Sequence, residues 1–296
     1  MFMLKSFIYL HLSIFLAGWT GLFGKLVDLR ESMLLFYRMA LTMIFLTLIW
    51  ALAGKCPPVS GKNLVPILGT GMILALHWLL FYGAIQHSNV SVGVTCYATI
   101  GFFTAILEPL LLKRKFSLAE LGLSILTLVG IALMFSVELH YRLGIILGVA
   151  SALVAACFAI FTKKISQSEP PMSLLFFELL GGFIGVTLLL PLYITIEPGT
   201  KLMPGAVDWI YLSCFAFFCT IGLYYFQIKS LEKISAFTLS LSYNLEPVYS
   251  ILLAMWIFKE HKTFTLPFYI SLLLIVIAVA GQSCLMAAQQ KKSTPQ

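Results

Sequence analysis

Long apolar runs recur along the whole chain, separated by short polar connections. They fall near Ser6–Phe23, Met33–Leu52, Leu64–Ile85, Val90–Leu112, Leu118–Phe135, Leu143–Phe161, Leu174–Ile194, Trp209–Ile228, Ala236–Phe258 and Leu266–Leu285. Each holds about 18–25 residues, enough to cross roughly 30 Å of hydrocarbon at about 1.5 Å per residue. Unsatisfied backbone amides are costly in lipid, so runs of this length are expected as helices. Nothing alternates in the short segments of a membrane β-barrel. The pattern predicts an all-α, polytopic membrane protein of ten transmembrane helices. The longest connections, around Lys55–Lys62 and Glu197–Val207, are too short to hold a soluble catalytic module. Only Lys5 leads the first run, and no small-x-small cleavage site follows it, so that run is expected as a retained helix.

The two halves align weakly. Ala17–Lys25 resembles Ala155–Lys163, Leu34–Arg38 resembles Leu174–Glu178, and Ala84–Ser91 falls against Ile228–Ser235. This predicts two repeats, 1–139 and 140–296, of five helices each. Five is odd, so the second repeat is expected upside down relative to the first, an arrangement that favours alternating access. The alternative is that apolar helices resemble one another by chance.

Composition sharpens the solvent. At 60% hydrophobic and 10% charged residues, with a mean hydropathy of +0.98, the chain is far more apolar than soluble domains, where charged residues run near a quarter. The net charge of +7 matters through its placement. Even-numbered connections and the two ends hold twelve Lys and Arg, among them Lys113, Arg114, Lys115, Lys163, Lys164, Lys291 and Lys292; odd-numbered connections hold six, Lys25, Arg30, Arg142, Lys201, Lys259 and Lys262. By the positive-inside rule both termini are expected in the cytoplasm, with the helices in a plasma membrane of bacterial inner-membrane type. The basicity thus reports topology and no nucleic-acid partner. The six cysteines form no Cys-x-x-Cys pair, and His11 and His77 have no ligand companions at helical spacing, so neither a metal nor a cofactor is expected.

Ionisable residues inside spans are costly and therefore candidates for function. They are His11, Arg38, His77, Glu108, Glu178 and Glu246. Counting helical rise puts Arg38, His77, Glu246, Trp19 and Tyr97, from five different spans, in one layer about 18–21 Å from the inner face. Glu178 and Glu108 come out nearer that face, at about 9 and 6 Å, where cytoplasmic lysines are the expected partners. Three polar stripes follow helical spacing: Ser235, Thr238, Ser242, Glu246 and Ser250; Gly93, Tyr97, Gly101, Thr104 and Glu108; Ser213, Thr220, Tyr224 and Gln227. They line a cavity or pack helices together. Gly18, Gly21 and Gly24, like Gly181, Gly182 and Gly185, suit close helix packing.

Pro247 blocks the carbonyl of Tyr243 and predicts a kink; the freed carbonyl and the Asn244 amide are then available to a solute or ion, or the proline only sets curvature. Trp78, Tyr224, Tyr225 and Tyr243 join Trp19 and Tyr97 as aromatic candidates for the cavity wall. Arg38 and Glu246 share depth and carry opposite charge, so the simplest expectation is an ion pair between the second and ninth helices. Arg38 also suits recognition of a solute carboxylate through its bidentate fork. The candidate substrate-binding set is Trp19, Arg38, His77, Tyr97, Tyr243, Asn244 and Glu246.

Phe36-Tyr37-Arg38 in the second span, Leu107-Glu108-Pro109-Leu110 followed by Lys113-Arg114-Lys115, and Asn244-Leu245-Glu246-Pro247-Val248-Tyr249 followed by Phe258-Lys259-Glu260-His261 carry a further likeness. With the ten-helix layout, the chain resembles EamA-type members of the drug/metabolite transporter superfamily over essentially its whole length. The first half departs from the pattern, with Phe103 against Pro247 and Lys115–Phe116 where an acidic residue would stand. The resemblance implies a solute carrier without catalytic activity, commonly an exporter of amino acids or related metabolites, whose cavity lies between the halves. Its partners would be a small-molecule solute and the lipid bilayer. The first span has no glutamate of the kind small multidrug relatives use for proton exchange. A flippase for lipid-linked or hydrophobic compounds is the rival reading. An enzyme would need a nucleophile–base or metal constellation, and none is seen.

Overall fold

The structure, a computed structural model, describes residues 2–54, 58–113, 116, 118–137, 141–196, 199, 201–257 and 259, with parts of 266–281. Every regular element among the described residues is helical. The first half holds α1 (Phe2–Gly18), α2 (Thr20–Leu26), α3 (Glu31–Leu52), α4 (Gly61–Gln86), α5 (Val90–Tyr97), α6 (Ile100–Leu112) and α7 (Leu118–Val137). The second holds α8 (Arg142–Ile165), α9 (Pro171–Ile196), α10 (Ala206–Ala216), a π-helical turn (Phe217–Gly222), α11 (Leu223–Leu231), α12 (Ala236–Ser242), a 3-10 turn (Tyr243–Leu245) and α13 (Glu246–Ile257).

Among the described residues, seven helical segments are long and apolar enough to cross a membrane: Lys5–Leu26, Glu31–Leu52, Gly61–Gln86, Val90–Leu112, Arg142–Ile165, Pro171–Thr195 and Ala206–Leu231. They coincide with seven of the runs read from the sequence. Of the other three, Leu118–Val137 is one apolar helix of 20 residues and the ninth run is the α12–α13 pair, whereas the tenth lies largely outside the described residues. Large apolar side chains such as Leu52, Val65, Leu188 and Trp256 face outward. That surface suits acyl chains and would be a liability in water.

Among the described residues, four spans are discontinuous. The first breaks at Trp19, between α1 and α2, where the Ser250 hydroxyl takes the Gly18 carbonyl at 2.9 Å. The fourth breaks at Ala98–Thr99, where the chain tightens to i→i−3 bonds. The eighth passes through the π turn and the ninth through the 3-10 turn. Pro247 is the second residue of α13, a position that tolerates its missing amide hydrogen, and the irregular turn lies just before it. Broken membrane helices expose backbone polar groups, which the bilayer tolerates only where protein or a cavity receives them.

The middle of the molecule is α4, which packs against both α8 and α9 and so joins the two halves. The crossing with α9 is backbone on backbone: a Cβ at Gly71 would run into the Glu178 carbonyl, and one at Gly181 into that of Leu68. Only glycine permits this approach. The two ends are tied differently. At one, Lys201 Nζ donates to Asp28 at 2.7 Å and to Asp208 at 3.4 Å, while the Asp28 amide donates to Asp208 at 3.0 Å. Tyr193 donates to Glu31 at the same end. At the other, Glu169 accepts from the Asn63 side chain at 2.7 Å and from the Ser60 amide at 3.3 Å.

Candidate functional site

Where the broken spans meet, a small cavity of about 40 Å³ is lined from α1, α2, α3, α4, α5, α6, α8, α11, α12 and the 3-10 turn into α13. Its chemistry is set by Arg38, on the second turn of α3 and wholly buried. The guanidinium Nε donates to Thr220 Oγ1 at 2.7 Å, Nη1 to the Tyr82 hydroxyl at 2.7 Å and Nη2 to the Cys219 carbonyl at 3.1 Å. Its planar head lies between two aromatic faces, 4.1 Å from the Trp78 ring centre and 4.0 Å from that of Phe215. The π turn is what makes this cradle. It lets the Thr220 hydroxyl reach back to the Phe215 carbonyl, five residues earlier, at 3.2 Å, and leaves the Cys219 carbonyl to accept from Arg38. Such turns recur at functional sites because they trade a ladder bond for a free backbone group.

All three acceptors are neutral. A buried arginine stays protonated and is expensive without an anion, since dipoles and rings offset only part of its lost hydration. Two of its five N–H groups have no partner among the described residues. Glu246, at the start of α13 and only 4% exposed, lines the same cavity. The ion pair expected between them does not form. The Thr220–Cys219 turn and Tyr82 have taken the guanidinium, and the Thr20 side chain lies beside the Glu246 carboxylate. The cavity therefore holds a guanidinium and a carboxyl group that do not bond each other directly.

The remaining candidates sort cleanly. His77 lines the cavity, with Nδ1 2.8 Å from Ser151 Oγ and its ring over Tyr97 at 5.2 Å. Tyr97 and Tyr243 line it too, and the Tyr243 hydroxyl donates to Gln227 at 3.3 Å. Trp78 donates from Nε1 to the Tyr224 hydroxyl at 3.0 Å, closing an aromatic wall under Arg38. Trp19 is not brought in: the α1–α2 break turns it away, and Thr20 takes the lining position. The Asn244 side chain lies outside the described residues. His11 is exposed on the outer side of α1.

Of the two lower carboxylates, Glu178 departs from expectation. Glu178 accepts from Thr162 Oγ1 at 2.6 Å, so a neighbouring hydroxyl rather than a lysine meets it. Glu108 accepts from the Phe237 amide at 2.7 Å and so caps the first turn of α12. The polar stripe on the fourth span accordingly packs helices together everywhere but at Tyr97. Tyr82 was missed, although His77, Trp78, Phe81 and Tyr82 occupy one face of α4 at helical spacing. Cys219 contributes a carbonyl, which no side-chain pattern announces.

A family model described as the EamA-like transporter family matches residues 4–136 and 142–283. The chain belongs to that family. It is a membrane transporter of solutes, and its helices make it a multi-pass protein of the bilayer. A relative from Bacillus subtilis (strain 168), described as "Uncharacterized transporter YxxF", is 22% identical over 286 residues, covering 95% of this chain and 89% of that one. A solved crystal structure 13% identical to this EamA chain aligns with a TM-score of 0.71, covering 95% of the present chain and 97% of its own; at that identity the likeness speaks to fold alone.

Proposed function

We propose that this EamA transporter carries a small amino-acid-like metabolite, in the direction of export, by alternating access between two inverted five-helix repeats, 1–139 and 140–296, that together make ten spans. The observation that carries the proposal is the buried Arg38, bonded only to neutral groups and facing the cavity it shares with Glu246. The solute carboxylate takes the two free N–H groups of Arg38, and its ammonium group takes Glu246. Tyr97, Tyr243 and His77 complete the walls, with Trp19 and Asn244 beside the breaks in the first and ninth spans. The lysine and arginine bias supports a plasma-membrane location with both termini in the cytoplasm.

Size says what the mechanism must do. A cavity of about 40 Å³ has room for a few waters and none for a metabolite. The solute enters only when the two repeats move apart around α4, and alternating access supplies that widening. A flippase would need a groove from the bilayer to Arg38, whereas the lining is buried and polar at its centre.

The test is metabolite profiling of cells lacking or overproducing the protein, followed by flux measurements in proteoliposomes. An amino-acid-like metabolite that builds up inside cells without the protein and leaves loaded vesicles containing it is the expected result. A flux confined to neutral apolar compounds or lipid-linked sugars would refute the proposal.

A further inference from the structure

A second cavity lies apart from the first, on the lateral face where α4 and α8 diverge, with a volume of about 550 Å³. Its rim is polar: Asn63, Lys164 and Ser168. Its walls are apolar: Pro66, Ile73 and Phe161 among them. Pro66 is exposed, so the cleft opens sideways. Asn63 to Ile73 spans about 15 Å of helix, half of roughly 30 Å of hydrocarbon, which is the depth of one leaflet. A cleft polar at the membrane surface, apolar below and one leaflet deep matches a phospholipid in shape and in polarity.

The charge at the rim narrows the class. Glu169 lies behind Asn63, but its carboxylate already accepts from the Asn63 amide at 2.7 Å and the Ser60 amide at 3.3 Å. Lys164 is exposed and has no ion pair among the described residues. Its ammonium is the one charged group among the described residues that line the cleft, and the lysine bias puts it on the cytoplasmic side. Gly69 sits in the wall, and a Cβ there would meet nothing within 4 Å, so the groove is open at that point.

We infer that this cleft is a binding site for one anionic phospholipid of the inner leaflet, its phosphate on Lys164 and one acyl chain lying between α4 and α8. The chain would end about one helical turn, roughly 6 Å, from His77. His77 bonds Ser151 across the same α4–α8 seam at 2.8 Å and lines the solute cavity. Lipid in the cleft therefore holds the seam beside the transport site. The site is separate from solute recognition and is read without any transport measurement.

The purified full-length protein is titrated with phosphatidylglycerol or phosphatidylcholine of matched chains, and bound lipid is counted by native mass spectrometry. One tightly held phosphatidylglycerol is expected. Lys164→Ala should weaken it roughly five-fold and leave phosphatidylcholine unchanged, and Lys164→Arg should restore it. Gly69→Leu should expel the lipid while thermal melting in phosphatidylcholine stays as in the wild type. Equal retention of the two lipids by the wild type, or a preference that survives both Lys164→Ala and Gly69→Leu, would overturn the inference.

Discussion

A guanidinium cannot shed its proton, so burying Arg38 commits the protein to holding a full charge inside the bilayer. Thr220, Tyr82, Cys219 and two aromatic faces offset part of that cost. Because Thr220 takes the Nε proton, Thr220→Val should leave a buried donor unpaired and destabilise the protein by about 1–3 kcal/mol, seen as a lowered thermal midpoint; an unchanged midpoint would mean that water or another acceptor replaces the hydroxyl. At Glu246 the division of labour with Arg38 can be separated. Glu246→Gln should weaken an amino acid more than its deaminated acid, whereas equal weakening would remove Glu246 from ammonium recognition. Depth counting found Arg38, His77, Tyr97 and Glu246 because an ionisable or polar group in a span must turn inward. It could not foresee the absence of the ion pair, which depends on where the Cys219 carbonyl points.

At the scale of the elements, the irregular turns do what regular helices cannot. The π turn at Phe217–Gly222 presents the Cys219 carbonyl to Arg38, the 3-10 turn at Tyr243–Leu245 puts Tyr243 in the cavity wall, and at the Trp19 break Thr20 rather than Trp19 lines the cavity. Pro247 made one of these legible in sequence. The π turn has no such mark, since Phe217–Gly222 contains no proline and the guanidinium it bonds comes from another helix. The Gly71–Gly181 crossing was half legible: the glycine cluster on α9 signalled close packing, yet its partner on α4 appears only once the helices are in contact. Gly71→Leu should abolish folded yield in detergent, because the added side chain meets the Glu178 backbone, whereas Gly122→Leu, whose Cβ meets nothing, should be silent. Comparable yields would mean that α4 and α9 separate easily.

For the whole molecule, the apolar runs and the lysine bias were enough to predict an all-helical membrane protein, because the bilayer permits few other solutions. The latch at the Lys201 end was not readable, since it joins residues about 170 positions apart in sequence. Lys201 is exposed, and its hydrogen bond to Asp28 raises its pKa. The latch is therefore present below the ordinary lysine range and lost only as pH climbs through the raised value. Closure at this end should be insensitive to pH between 6 and 8 but sensitive to ionic strength, as exposed pairs are. Accessibility of a cysteine placed at Thr20 to a membrane-impermeant thiol reagent should rise with salt and with Lys201→Gln, and stay flat across that pH range; the opposite pattern would show that the Lys201 cluster does not govern access to the cavity.

The claim on which the rest depends is that Arg38 receives the carboxylate of the solute. Once a transported amino acid is in hand, its binding to the purified protein can be compared with that of its carboxamide, in the wild type and in Arg38→Gln. The wild type should prefer the acid by about ten-fold or more, the worth of one charge-assisted hydrogen bond, and Arg38→Gln should erase the preference. A preference that survives Arg38→Gln would mean that some other group holds the carboxylate, and that Arg38 serves only to join the helices.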